Sequence, residues 1–497
     1  MVDACDLDAV AARRLIGARR LSAVELLENC IRRTEAVDHA VNAMVARDFE
    51  RAHAAALAAD AKAARGEALP LLHGLPIGIK DLEEVSGLRT TFGSLEFRDY
   101  VPARDAGFVE RLRIAGAIVV GKTNVPEWGA GANTRNAVYG ATGNPFDPRL
   151  SAAGSSGGSA VALATGMVPI ASGSDMGGSL RNPAAFCGVV GFRPTPGLVP
   201  DERRPIGWNP LGVLGPMART IPDVCLLLAA MASDDGRDPL ATTVRGRAVR
   251  RAKDFWPPAE LDLASLRVAV TADFGFAPVE RHIAEVFGEK ISLFRHLFER
   301  VEEATPDCSG ADEAFAILRA VAYLAAHLKR VREKPELVGP NVRANVEEGL
   351  GYTAADVARA QTMQTLLYRS WQSFFRDYDV VLSPAISISP RPWQELYSTE
   401  IDGRPMRSYF HWLALAYAVT LAGHPAVSLP VGLDRSGMPF GLQIVGPRGG
   451  DGFVLAVAAA LERELAGDAR TARPVPNVEQ LRVAPPISEG AGFLDFG

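Results

Sequence analysis

From Leu150 to Ser174 the chain carries no charged side chain. This uncharged run opens a longer stretch, Gly154 to Gly191, reading GSSGGSAVALATGMVPIASGSDMGGSLRNPAAFCGVVG. Gly154, Gly157, Gly158, Gly166, Pro169 and Gly173 interrupt it too often for a membrane span. A flexible linker is also a poor fit, because the apolar runs AVALAT, MVPIAS and FCGVVGF alternate with the glycine turns. Apolar segments punctuated by glycine let a buried backbone approach a ligand closely. The stretch therefore predicts the floor of an active site.

At 497 residues and 48% hydrophobic, the chain can bury one large α/β domain or two to three smaller ones. A formal charge of −5 points away from nucleic acid and from an anionic membrane surface. The opening MVDACDLDAVAARRL lacks the basic and apolar regions of a secretory signal, and no run of about 18 apolar residues predicts a membrane helix. Cys5, Cys30, Cys187, Cys225 and Cys308 are scattered, as expected for buried, reduced thiols of a soluble cytoplasmic protein.

Along the chain, residues 6–65 are helical in pattern, with Ser22 to Glu25 a capping box for a helix through Arg33. Strands are predicted at 74–80, 117–120, 266–271, 379–384, 426–429 and 441–445. Helices are predicted at 105–115, 220–231, most of 280–375, 405–421 and 453–465, with a surface excursion over 234–263. The alternation argues for an α/β fold, a large mixed sheet covered by helices on both faces. A single domain, 1–497, is expected: a helical segment (1–65), a core (66–235), a mostly helical variable region (236–375), a return to the core (376–465) and a surface tail (466–497).

Two familiar patterns are rejected on context. Gly116 to Thr123 (GAIVVGKT) satisfies the P-loop pattern, but AIVV, where the phosphate loop should be, is itself a strand. Gly154-Ser155-Ser156-Gly157-Gly158 matches G-x-S-x-G, which would make Ser156 the nucleophile of an α/β-hydrolase-type esterase with His424 as its base. The histidines show no metal-ligand spacing, so neither a metal nor a cofactor is expected. Cys187, in AAFCGVV, is expected to be a buried apolar thiol.

Three blocks carry a stronger signal: GLPIGIKD (74–81), GSSGGS (154–159) and DMGGSLRNPAAFCGVVGFRPTPG (175–197). Lys80 precedes Ser155 by 75 residues, and Ser155 precedes Ser179 by 24. In order and spacing these blocks resemble the signature of the amidase signature family. The resemblance extends to TTFGS (90–94), GKTNVPEW (121–128), NPFDP (144–148) and GHPAVSLPVG…GMPFGLQIVG (423–446), and weakens around 235–370. It implies Ser179 as the acyl-forming nucleophile, Ser155 as a bridging hydroxyl on a cis peptide, and Lys80 as the base.

The chemistry agrees. A serine hydroxyl needs a neighbour to take its proton, and a lysine can do so when burial brings its pKa towards neutrality. Lys80 ends an apolar strand that would supply that burial, and serine–lysine machinery is a known variant of the triad. Met176, Gly177 and Gly178, with Ser179, are expected to turn their N–H groups on the carbonyl oxygen as an oxyanion hole. Asp175 and Arg181 are expected to hold that loop in shape. Family members often read GGSSGG where Ala153 stands here, and T-D-T-G-G-S where this chain has Ser174-Asp175-Met176. The small residues Gly129, Ala130, Gly131 and Ala132 suggest a roomy substrate pocket.

The expected function is thus a serine amidohydrolase cleaving a linear carboxamide of a small molecule, with esterase or carbamate hydrolysis as a side activity. The resemblance leaves open a glutaminase subunit of a tRNA-dependent amidotransferase, although residues 300–360 show no obvious tyrosine- and arginine-rich substrate block. A homodimer is a family-level expectation.

Overall fold

A computed structural model of the chain describes residues 3–494 except 234, 242, 245, 246, 249 and 250. Among the described residues, eleven strands form one mixed sheet. In chain order they are β1 (Met44–Arg47), β2 (Pro76–Lys80), β3 (Ile118–Thr123), β4 (Ile170–Asp175), β5 (Val190–Arg193), β6 (Val213–Ala218), β7 (Arg267–Val270), β8 (Arg300–Glu303), β9 (Val380–Pro384), β10 (Ala426–Leu433) and β11 (Pro439–Val445). Across the sheet the order is β1-β3-β2-β4-β6-β5-β10-β11-β9-β7-β8. β2 runs parallel to both β3 and β4, whereas the middle of the sheet, from β4 to β11, pairs antiparallel.

Parallel strands are covered on both faces, and every residue of β2 and β3 is buried. Side chains alternate across the pleat, which separates the interior into two apolar layers. Val119 joins one layer while its neighbours Ile118 and Val120 join the other. Helices Ala9–Gly17, Gly107–Ile114, Ile221–Met231, Arg281–Phe294 and Asp451–Leu465 pack in the first layer. Helices Gly157–Ala164, Arg181–Cys187, Ala311–Glu333, Ala354–Phe374 and Ala414–Ala422 pack in the second. Helix Gly157–Ala164 is buried on every side, which is why its sequence carries no charge.

Several expected elements change. β1 and β8 fall in segments patterned as helix; each is a four-residue edge strand, too short for periodicity to mark. The helix opened by Ser22 runs to Val41 and ends at Asn42 in the left-handed region. Its Ser22 Oγ accepts the Glu25 N–H at 2.9 Å. Only the second half of the expected 405–421 helix forms, because Arg404–Pro405 pairs instead with Glu400–Ile401. β3 continues through Gly121, Lys122 and Thr123, so the P-loop match lies on a strand. The excursion expected at 234–263 and the tail expected at 466–497 fall partly outside the described residues. Within the tail, helix Val478–Val483 docks Leu481 in the second layer. Among the described residues, no helix is long and apolar enough to cross a membrane.

Candidate active site

β2, flanked by β3 and β4 in the sheet, ends at Lys80, which is 1% exposed. The strand is pinned to β4 by the Lys80 N–H, which donates to Ser172 Oγ at 2.9 Å. The ammonium donates to Ser155 Oγ at 2.7 Å and to Ser174 Oγ at 2.9 Å. Burial brings the Lys80 pKa down from its ordinary value to about 7, against the opposing pull of Asp175 and Glu83. Ser174 escaped the sequence analysis. Its signal was the S-x-S alternation of Ser172 and Ser174 on β4, which puts both hydroxyls on one face beside β2.

Ser155 follows a cis Gly154–Ser155 peptide bond. Thr134 braces this turn: its Oγ1 donates to the Ala153 carbonyl at 2.7 Å and accepts the Gly157 N–H at 3.1 Å. A Cβ on Gly158 would lie 2.2 Å from the Asn124 nitrogen, so only glycine lets the helix start this close to the end of β3. Ser156 is fully buried, and its hydroxyl faces the backbone of Ser174. His424 stacks on Trp371 and packs against Phe375, with Nδ1 against the Gly446 carbonyl at 3.0 Å, and burial drives its pKa down to about 3. The G-x-S-x-G reading fails on these grounds, since Ser156 and His424 do not meet and Ser156 has no access to solvent. Cys187 is a buried thiol whose pKa burial pushes up.

β4 ends at Asp175, and the chain turns through Met176, Gly177 and Gly178 to Ser179. Asp175 is fully enclosed and paired with both Arg181 at 2.9 Å and Arg193 at 3.2 Å. Burial alone would raise its pKa, but the two guanidiniums hold it well below the usual carboxylate range. It also accepts the N–H groups of Gly178 at 3.0 Å and Leu180 at 3.2 Å. The expected oxyanion hole is corrected in one member: Gly178 commits its N–H to Asp175. Among the described residues, the N–H groups of Met176, Gly177 and Ser179 have no protein acceptor. Arg193, absent from the sequence-derived set, is a second partner of the Asp175 carboxylate, and it also binds the Asp175 carbonyl at 2.6 Å.

Ser155 and Ser179 open on one cavity of about 460 Å³. The Ser179 hydroxyl makes no hydrogen bond to protein among the described residues, to Ser155 included. Gly129 lines this cavity, Ala130 lines a neighbouring one of about 290 Å³, and Gly131 and Ala132 line neither. The loop turns away at Trp128 and Gly129, both at positive φ, and Ala132 enters the core. Large side chains shape the cavity instead, Phe92 and Trp128 stacked at 4.5 Å among them. A further wall is one face of helix Ala311–Glu333, which presents Arg319, Tyr323, His327 and Arg330. Residues 300–360 thus do supply tyrosine and arginine to the site. The signal was R-x3-Y-x3-H-x2-R, a helical stripe rather than a contiguous block. Among the described residues, the cluster with metal-ligand spacing is Asp3, Cys5 and Asp6, away from the cavity, with Asp3 and Asp6 bound to Arg33.

The family profile for Amidase matches residues 25–455. The chain belongs to the amidase signature family. An acylamidase of Rhodococcus erythropolis is 34% identical over 466 residues, covering 92% of this chain and 95% of that protein. A glutamyl-tRNA(Gln) amidotransferase subunit of Anaeromyxobacter dehalogenans (strain 2CP-C) is also 34% identical, covering 93% and 96%. The crystal structure of a bacterial aryl acylamidase superposes with a TM-score of 0.84 at 26% identity, covering 92% of this amidase and 96% of that chain. This amidase is therefore an amide-hydrolysing enzyme on a mixed α/β sheet.

Proposed function

We propose that this amidase cleaves a linear carboxamide of a small molecule through an acyl-enzyme on Ser179. The observation that carries the reading is the 2.7 Å contact between the buried Lys80 amine and Ser155 Oγ, at the floor of the cavity that Ser179 lines. Neutral Lys80 accepts the Ser155 proton as Ser155 accepts that of Ser179, and Ser179 Oγ bonds to the carbonyl carbon. The oxyanion gathers the N–H groups of Met176, Gly177 and Ser179. The C–N bond then breaks as the proton returns through Ser155 to the departing nitrogen. Water enters by the same relay, releases the acid and regenerates Ser179. Esters and carbamates fit the same steps with a better leaving group. The test is turnover of a panel of chromogenic amides, esters and carbamates by the purified chain. Amine release that Ser179→Ala abolishes supports the proposal, and release that Ser179→Ala leaves intact overturns it.

The amidotransferase relatives support a second reading, a glutaminase subunit that works with partner chains. Release of ammonia from glutamine, but of no amine from the panel, would favour that reading.

A further inference from the structure

Four arginines line the catalytic cavity, and three of them are matched by carboxylates. Arg203 meets Glu84 at 3.5 Å, Arg204 meets Asp238 at 3.3 Å, and Arg330 meets Glu96 at 2.9 Å. Arg319 differs. It is only 5% exposed, yet among the described residues no carboxylate lies within ion-pairing distance. Its Nε donates to Tyr409 OH at 3.2 Å and its Nη2 to Tyr323 OH at 3.1 Å and again to Tyr409. Its Nη1 meets only the thioether of Met176, at 3.4 Å.

A buried cation is costly unless charge or hydrogen bonds compensate it. The aromatic rings of Tyr323, at 4.7 Å, and Tyr409, at 5.3 Å, supply part of that compensation. A thioether is a weak acceptor, so the Nη1 edge on the cavity side is left under-satisfied. Of the acids that line the cavity, Asp175 is held by Arg181 and Arg193, Asp201 faces Arg204 at 3.9 Å, and burial pushes the Glu83 carboxyl up to about 8, so none of them pairs with Arg319. The Arg319 edge of the cavity therefore favours a negative charge.

We infer that Arg319 is a specificity residue that binds the carboxylate of an amide substrate carrying a free acid group, such as a dicarboxylic acid monoamide. This rests on the amidase reading of Ser179. Met176 links the two places, because its backbone N–H, which has no protein acceptor among the described residues, is one of the proposed oxyanion donors while its side chain touches Arg319 Nη1. A carboxylate displacing that sulfur contact would share one cavity with Ser179.

The test uses anilides of dicarboxylic acids with one to four methylenes between the groups, each beside a neutral alkyl anilide of equal length. Binding is measured by calorimetry to the Ser179→Ala protein, where no turnover intervenes. At least one acid should bind about tenfold or more tightly than its neutral partner. Arg319→Met in the same background should erase that preference, so that each acid binds no more tightly than its neutral partner. Arg319→Lys, which keeps the charge without the planar fork, should retain part of it and serves if the methionine variant does not fold. A series in which no acid is preferred, or a preference that survives both substitutions, overturns the inference. Turnover of the neutral anilides by the wild-type chain, lost in Ser179→Ala, reports separately on the amidase reading.

Discussion

Gly178 donates its backbone N–H to Asp175 at 3.0 Å, so the turn that presents Ser179 hangs from a carboxylate held between two buried arginines. The anchor is local: a few residues of chain separate the carboxylate from the serine it positions.

Asp175→Asn removes the negative charge and leaves Arg181 and Arg193 buried without a counter-ion. Breaking a buried pair from one side costs about 3–5 kcal/mol. The variant should unfold at markedly lower denaturant concentration and lose amide turnover, with kcat falling more than KM rises. Because the Asp175 pKa is depressed in the folded protein, its stabilisation is complete above the unfolded value and is lost only as pH falls into the acid range. In a Lys80→Met background, where the coupled amine cannot titrate, the stability deficit of Asp175→Asn should therefore be constant from pH 6 to 8 by chemical denaturation.

Lys80, with a folded pKa of about 7, must be unprotonated to act as the proposed base. The kcat/KM of the free enzyme should rise through an acid limb near pH 7 and flatten above it. The same shift has a stability signature. Between about 7 and about 10.4, the ordinary lysine value, the unfolded chain binds more protons than the native one, so stability climbs with pH. Lys80→Met should flatten that slope, and at pH 6 it should melt no lower than the wild type while amide turnover falls by about 10²–10⁴.

Lys80→Ala should lose far more amide than ester turnover. An amine leaves only when protonated, whereas an alkoxide or phenoxide leaves with less help. Parallel measurements on an anilide and a phenyl ester of the same acid check this. Equal losses on both would count against Lys80 and Ser155 as the proton route.

Thr134→Val deletes the hydroxyl that braces the Gly154–Ser155 turn. It leaves the buried Gly157 N–H without its acceptor at 3.1 Å, at a cost of about 1–3 kcal/mol. Thermal melting should show that loss, with a fall in kcat as Ser155 drifts from Lys80. Gly158→Ala should be more severe, because its Cβ would meet the Asn124 backbone at 2.2 Å. The cost should reach at least the ~3 kcal/mol upper end of overpacking, read as loss of soluble, folded protein.

The site's legibility in the sequence follows from how its residues are stored. Lys80, Ser155 and Ser179 sit in short contiguous blocks crowded with glycine, where close backbone approach restricts the choice of residue. Six strands of the mixed sheet, β2, β3, β7, β9, β10 and β11, were legible as apolar runs bounded by turns, whereas β4, β5 and β6 were not, because Gly173, Gly191, Gly215 and Pro216 interrupt them. Ser174 and Arg193 were not legible either, because alternating serines on a strand and an arginine after FCGVVGF acquire meaning only when β4 and β5 bring them to Lys80 and Asp175. Arg319 and Tyr323 were hidden by helical spacing, which spreads a binding wall over many positions. β1 and β8 escaped because four residues at a sheet edge cannot display a period. Of the small residues at 129–132, Gly129 lines the catalytic cavity but Gly131 and Ala132 do not, since side chains that pack closely in a core look, in sequence, like side chains that clear a pocket.

The account depends most on Ser179 being the residue that forms the acyl bond. Incubation with a fluorophosphonate probe, followed by peptide mass mapping, tests this directly. The account predicts one adduct, on Ser179, with a labelling rate that rises through pH 7 and collapses in Lys80→Ala. An adduct on Ser156, or no adduct on a chain that still hydrolyses amides, would contradict it.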